Sequence, residues 1–186
     1  MINRDIIREL SQGEEVLHYS REKLSRFKIR EEDKKILSEI GIPRFAAPAI
    51  DFLKESMGGL ERLSKYYGLK KELDKYMILA NCEEGVVVLD ELTDEIDMIK
   101  SESLDNVFVN STLEQFIKSL ISYNKITSEI ISRDKDSKHY VDNMTTEDLN
   151  KIRRDIYNID NMAFSNNSFW YLTLVILLEK MNLNIF

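Results

Sequence analysis

The sequence predicts an α+β fold in which an antiparallel sheet of about four to six strands is flanked by N-terminal and C-terminal helices. Two observations lead to this prediction. Three short apolar segments in the middle of the chain, 76–80, 86–89 and 95–99, are separated by polar stretches of turn length. The regions on either side repeat apolar residues at helical spacing. At 186 residues, the chain is expected to form one domain, 1–186, with 133–186 as a C-terminal helical extension.

The sequence pattern of the N-terminal region indicates helical segments joined by turns. Four apolar residues recur at helical spacing ahead of Gly13: Ile2, Ile6, Ile7 and Leu10. Residues 14–29 fit a strand or a helix equally well. Residues 31–40 predict a clearer helix, because three acids lie at its start, where the helix dipole favours negative charge. Gly41, followed by Pro43, predicts that this helix ends sharply.

The middle of the chain predicts the sheet. Residues 44–75 contain Pro48 and several glycines and predict loop and short helix, with a first strand as an alternative. The three apolar segments then form an antiparallel meander, and 107–109 forms a fourth strand. In the third segment Ile96 and Met98 alternate with Glu95 and Asp97, which predicts one buried face and one face in water.

The region after the sheet predicts two amphipathic helices. Ser111 and Glu114 have the spacing of a capping box, so a long helix is expected to begin there. Residues 133–143 are polar and predict a surface connection. Thr145 and Asp148 have the spacing of a second N-cap, and the apolar residues that follow them lie on one side of a helix.

A last helix is predicted over 169–181, capped by Ser168. Its longest apolar run, 169–178, is well short of the roughly 20 residues that cross a membrane, so no membrane association is predicted. The helix is apolar on nearly all sides. It therefore needs cover either from the sheet and its neighbours or from a second subunit, and the oligomeric state stays open.

The negative charge of the chain is concentrated in the strand region. The formal net charge is −7, yet residues 81–106 alone hold nine acids and one base, a local charge of −8. Seven of these acids are the candidate partner-binding residues: Glu83, Glu84, Asp90, Glu91, Asp94, Glu95 and Asp97. A run of this kind is usually a solvated face. The alternative is a docking surface for a basic partner, because complementary fields speed encounter and penalise wrong partners.

The sequence contains no recognisable catalytic or metal-binding motif. None of the six glycines stands in a phosphate-binding arrangement. Cys82, His18 and His139 are far apart in sequence, which disfavours zinc and a Cys–His nucleophile. The acids between 90 and 97 lack the order of a calcium loop. We therefore predict a protein that is not an enzyme, with no catalytic residues, no metal and no cofactor.

Composition also narrows the class of partner and the compartment. A sequence pI of about 5.0 and the lack of a basic stripe predict no direct contact with nucleic acid. One cysteine cannot form an internal disulfide, and the first residues of the sequence contain no apolar signal core. Both features predict the cytoplasm.

Three motifs follow one another along the chain. They are a helix stop, Ile40-Gly41-Ile42-Pro43; a strand pair, 76–80 and 85–90, with an acidic turn; and a helix start, Val107-Phe108-Val109-Asn110-Ser111-Thr112-Leu113-Glu114-Gln115-Phe116. In this order they resemble the SUKH superfamily, closest to its fourth group of bacterial immunity proteins. The resemblance covers about residues 14–125, and its last motif is the most specific; Thr112 stands where that group usually has a small residue.

The resemblance implies a single α+β domain without catalytic activity, which binds a cognate toxin protein of a polymorphic toxin system and blocks it in the cytoplasm. The toxin-binding surface differs between members, so the resemblance identifies no site residues. We therefore hypothesise an immunity protein that neutralises a basic toxin, for example one that acts on nucleic acid, by occlusion. A non-enzymatic regulatory or scaffold module of the same fold and a small hydrolase are the alternatives.

Overall fold

The structure is a computed structural model that describes residues 2–68, 71–133 and 140–183. It confirms the α+β fold. A six-stranded antiparallel sheet and a small two-stranded sheet are combined with helices at both ends of the chain.

The N-terminal region contains short helices around the two-stranded sheet. Its elements are α1 (Arg4–Ser11), β1 (Val16–Leu17), α2 (Arg21–Leu24), α3 (Glu31–Lys35), which continues as a π-helical segment (Ile36–Ile40), and β2 (Ile42–Pro43), which pairs with β1. Gly41 ends the third helix as predicted, with a φ of 88° that L side chains rarely adopt. A β-carbon at this position would lie 2.6 Å from a methyl carbon of Val16. The helix stop therefore also allows close packing against β1.

The main sheet is a meander of six strands in chain order. They are β3 (Phe45–Ala46), β4 (Ile50–Phe52), β5 (Tyr76–Cys82), β6 (Gly85–Asp90), β7 (Ile96–Lys100) and β8 (Asn106–Asn110), and each pairs antiparallel with the next. The predicted meander is confirmed, and two short strands precede it. A one-turn helix, α4 (Leu63–Tyr67), lies between β4 and β5.

Both faces of this sheet are buried. One face packs into the large core that contains the long helices, and the other forms a smaller cluster with residues from the segment around α4, such as Leu53 and Leu63. The prediction that one face of β7 lies in water is therefore wrong. Asp97 pairs with Val88 on the second face and is only 3% exposed. Alternation along the strand is real, but the segment before β5 covers its polar side.

In the described ranges three α-helices follow the sheet: α5 (Leu113–Arg133), α6 (Thr146–Ile159) and α7 (Phe169–Leu183). The predicted cap of α5 is one residue out of place. Thr112 Oγ1 accepts the Gln115 amide at 3.2 Å, because the hydroxyl of Ser111 is bound to Asp160 instead. The predicted N-cap of α6 is confirmed, and Thr145 and Asp148 form a complete capping box there. Most of the predicted connection over 133–143 lies outside the described residues.

A buried polar network ties α7 to the end of the sheet. Asn110, the last residue of β8, accepts a hydrogen bond from Trp170 Nε1 at 2.9 Å and donates one to Asp160 at 3.1 Å. The Ser111 amide donates to the same Asp160 carboxylate at 2.7 Å. Asn110, Asp160 and Trp170 are all buried, so each polar group needs these partners. The Asn110-Ser111 pair of the helix-start motif thus positions the C-terminal helices.

The last helix is covered on one side. Trp170 and Leu177 are buried in the large core, whereas Tyr171, Val175 and Leu178 form a stripe that is 36–45% exposed. The neighbouring elements supply part of the predicted cover. None of the helices in the described ranges is long and apolar enough to cross a membrane.

Candidate partner-binding surface

The meander divides the acidic residues between two ends of the sheet. Gly85 pairs with Lys100, so the β5–β6 turn and the β7–β8 turn lie side by side at one end. Leu89 pairs with Ile96, which places the β6–β7 turn at the other end. With about 3.3 Å per residue, strands of this length separate the two ends by about 15–20 Å. We call the first the hairpin-tip end (residues 82–84 and 101–105) and the second the opposite end (residues 90–95).

At the opposite end, two of the predicted site residues are held by internal ion pairs. Asp90 is 2% exposed and lies 2.5 Å from Lys75 Nζ. Glu91 pairs with Arg62 and accepts the Lys28 amide at 2.8 Å. These carboxylates join distant segments of the chain to the β6–β7 turn, and they present little charge to a partner.

The three other predicted site residues of this region, Asp94, Glu95 and Asp97, differ in exposure. Asp94 and Glu95 are half-buried at the opposite end. Asp97 lies inside the sheet, where burial raises the pKa of its carboxyl to about 6 and Asn106 donates a hydrogen bond to it at 3.0 Å. Of these three side chains, Asp94 and Glu95 are accessible to a partner.

The exposed acids of the acidic run lie at the hairpin-tip end. Glu83 and Glu84 form the β5–β6 turn, and Glu102 and Asp105 lie in the adjacent β7–β8 turn; all four are exposed. Glu84 pairs with Lys100 at 3.4 Å. Within the described part of the chain, Glu83 and Glu102 have no ion pair. Glu102 and Asp105 were missed as site residues, although they belong to the same acidic run, because only the meander register shows them beside Glu83 and Glu84.

A cleft of about 190 Å³ lies between the hairpin-tip end and α7, and we call it the hairpin-tip cleft. Its walls include Cys82, Glu83 and Glu84 on the sheet side and Leu172, Ile176 and Lys180 on the helix side. Aromatic rings also line it: Tyr123, Tyr140 and Phe169. The ring of Tyr123 lies 5.8 Å from that of Trp170, so the buried network that positions α7 also supports the cleft.

Burial disfavours the ionised forms of two titratable groups in the cleft, Cys82 and Tyr123. Burial raises the pKa of the Cys82 thiol, and its Sγ donates to the Gly85 carbonyl, so the reactive thiolate is disfavoured. Burial also raises the pKa of Tyr123. Across the ranges that the structure describes, no three potential metal ligands come together. What remains is an apolar cleft with carboxylates at its edge.

The fold is α+β, and its hairpin-tip end places exposed carboxylates beside a cleft with apolar walls. The chain belongs to the SUKH-4 immunity protein family, whose model matches residues 4–176. The match extends the resemblance seen over 14–125 to include α1, α6 and the first half of α7. Comparisons with curated proteins and with solved structures give no significant match. Family membership supports an immunity role.

Proposed function

We propose that this protein binds a cognate toxin protein in the cytoplasm and neutralises it by occlusion, without catalysis. The observation that carries the proposal is the family match over residues 4–176. An immunity protein needs a surface that is complementary to its toxin, and no reaction is required of it. The proposed partner is the toxin alone, with no direct contact to nucleic acid or membrane.

The hairpin-tip end supports a basic toxin as the partner. Its four exposed carboxylates outnumber the adjacent Lys100 and Lys180 of the described ranges, so the local charge is negative. A toxin that acts on nucleic acid needs a basic surface to hold phosphates, and an acidic cover is complementary to it. The field of the hairpin-tip end would speed encounter and orient the partner. Asp94 and Glu95 at the opposite end stay an alternative contact, while Asp90 and Glu91 are proposed to support the sheet through their ion pairs, and Asp97 is proposed to have no contact with the partner.

Co-expression with the toxin domain encoded beside the gene tests this function. We expect the host to survive, and we expect the two proteins to elute as one complex in size-exclusion chromatography. Survival without a complex would contradict occlusion. Loss of viability despite soluble immunity protein would contradict the immunity role itself. Deletion of the gene in the producing strain, with the toxin gene intact, should be tolerated only when a copy is supplied in trans.

A further inference from the structure

We infer that the hairpin-tip cleft receives one arginine side chain of the toxin, which anchors the centre of the interface. This inference rests on the proposed function, because it concerns the chemistry of the same partner. It goes further by naming the cleft, and not the acidic edge alone, as the place where one partner side chain is buried.

The size of the cleft suits a side chain. Small-molecule sites usually measure about 300–1,000 Å³. At about 190 Å³ the hairpin-tip cleft is smaller, and it is partly open to solvent. Leu172, Ile176 and Leu177 provide an apolar wall along α7. Long cationic side chains bury their methylene stems against such walls while their charged ends stay near polar groups.

The charges at the edge of the cleft favour a guanidinium group at that end. Glu83 has no ion pair in the described ranges, and Glu84 forms an ion pair with Lys100 at 3.4 Å. A guanidinium donates through a planar fork that matches carboxylate oxygens, and its flat face packs on aromatic rings such as those of Tyr140 and Phe169. Arginine is also among the residue types that dominate interface energetics when they fill a pocket.

Lys180 allows a test of whether the partner side chain in the cleft is cationic or acidic. Its side chain lines the same cleft, at the exposed C-terminal part of α7. A cationic occupant would be repelled by Lys180, whereas an acidic occupant would pair with it. Removing this charge should therefore change affinity in opposite directions for the two kinds of side chain.

A bulky side chain introduced on the wall of the cleft tests the inference directly. Thr173 lines the cleft, whereas Val175 lies on the exposed stripe of the same helix, outside it. Thr173→Trp should occupy the space that the arginine would fill, and Val175→Trp is its matched control. Glu83→Gln, at an exposed turn position, tests the carboxylate without a change in packing. Circular dichroism and thermal melts establish that all variants fold.

The experiment measures the Kd of each variant for the toxin domain encoded beside the gene, by isothermal titration calorimetry. We expect Thr173→Trp and Glu83→Gln to raise Kd at least about tenfold, as for truncation of a buried anchor, and Val175→Trp to change it less than about threefold. Lys180→Gln should lower Kd by about twofold to fivefold.

Equal effects of the two tryptophan substitutions, or weaker binding by Lys180→Gln, would overturn the cleft inference while leaving the immunity role intact. If the wild-type protein does not bind the toxin domain at all, the proposed function fails, and the inference that rests on it fails too. The two failures are therefore distinguishable.

Discussion

The substitution Asp97→Asn tests how the sheet tolerates a buried carboxylate. Asp97 is 3% exposed on the second face of the sheet, beside the apolar side chain of Val88. Burial, and to a lesser extent the charges of Glu95 and Asp90, raise the pKa of its carboxyl. Asparagine keeps the shape and retains a carbonyl oxygen that accepts the hydrogen bond from Asn106. It removes the charge and places an amide NH2 where Asp97 has its other carboxylate oxygen.

The expected magnitude follows from the pKa. Folding raises the pKa of the Asp97 carboxyl from 3.8 to about 6. A pKa difference of one corresponds to about 1.4 kcal/mol in the free energy of unfolding. Because the folded state holds this proton to a higher pH than the unfolded state, the free energy of unfolding falls as the pH rises from about 4 to about 6. The asparagine amide has no such proton to lose. At about pH 8 the variant should be more stable than the wild type by up to about 3 kcal/mol, and at about pH 4 the two should be similar.

Urea unfolding of both proteins across about pH 4–8 measures this difference. The ion pair of Arg133 with Asp148 lowers the pKa of the Asp148 carboxyl, so its stability loss lies below the window and cancels in the comparison. A variant that is no more stable than the wild type at the high end, with an unchanged urea m-value, would refute the reasoning. A stabilisation that does not depend on pH would refute it as well, since it would have another cause.

The remaining predictions concern packing and the buried network. Gly41→Ala should lower the free energy of unfolding by at least about 1 kcal/mol more than Gly13→Ala. Both residues have positive φ, but only Gly41 has side chains within 4 Å of an added β-carbon. Equal losses of unfolding free energy in urea would show that backbone strain, and not the contact with these side chains, determines the cost. Trp170→Phe should cost about 1–3 kcal/mol, since it leaves the Asn110 oxygen buried without its donor. Tyr171→Phe on the exposed stripe is the control, and a cost as large as that of Trp170→Phe would contradict the network's role.

Local signals predicted much of the fold because they depend only on neighbours in sequence. The stop at Gly41 follows from glycine's access to positive φ. The capping box of Thr145 and Asp148 closes over three residues, and the strand segments alternate with turn residues. In each case the physical cause lies within a few positions of the element that it produces.

Other features could not be predicted because their causes lie far away in sequence. The cap of α5 moved to Thr112 because Asp160, more than forty residues later, binds Ser111. Asp97 is buried because a segment that precedes β5 covers its face of the sheet. Likewise, the partners of Asp90 and Glu91 come from the region before β5.

The candidate site was likewise predictable from the sequence only in part. The acidic composition of residues 81–106 was visible in the sequence, and its split between two ends follows once the meander register is known. The hairpin-tip cleft was not predictable, because its second wall is α7. The position of that helix depends on the hydrogen bond between Trp170 and Asn110 across the core.

The most direct test of the central claim is the association rate with the toxin domain at low ionic strength, where electrostatic steering is least screened. Glu83→Lys and Glu95→Lys change the net charge equally, but they lie at the hairpin-tip end and the opposite end respectively. Stopped-flow measurement should show an association rate reduced at least about threefold by Glu83→Lys and little changed by Glu95→Lys, with the difference lost at about 1 M salt. Equal rates for the two variants, or a larger loss with Glu95→Lys, would contradict the hairpin-tip end as the surface that meets the toxin.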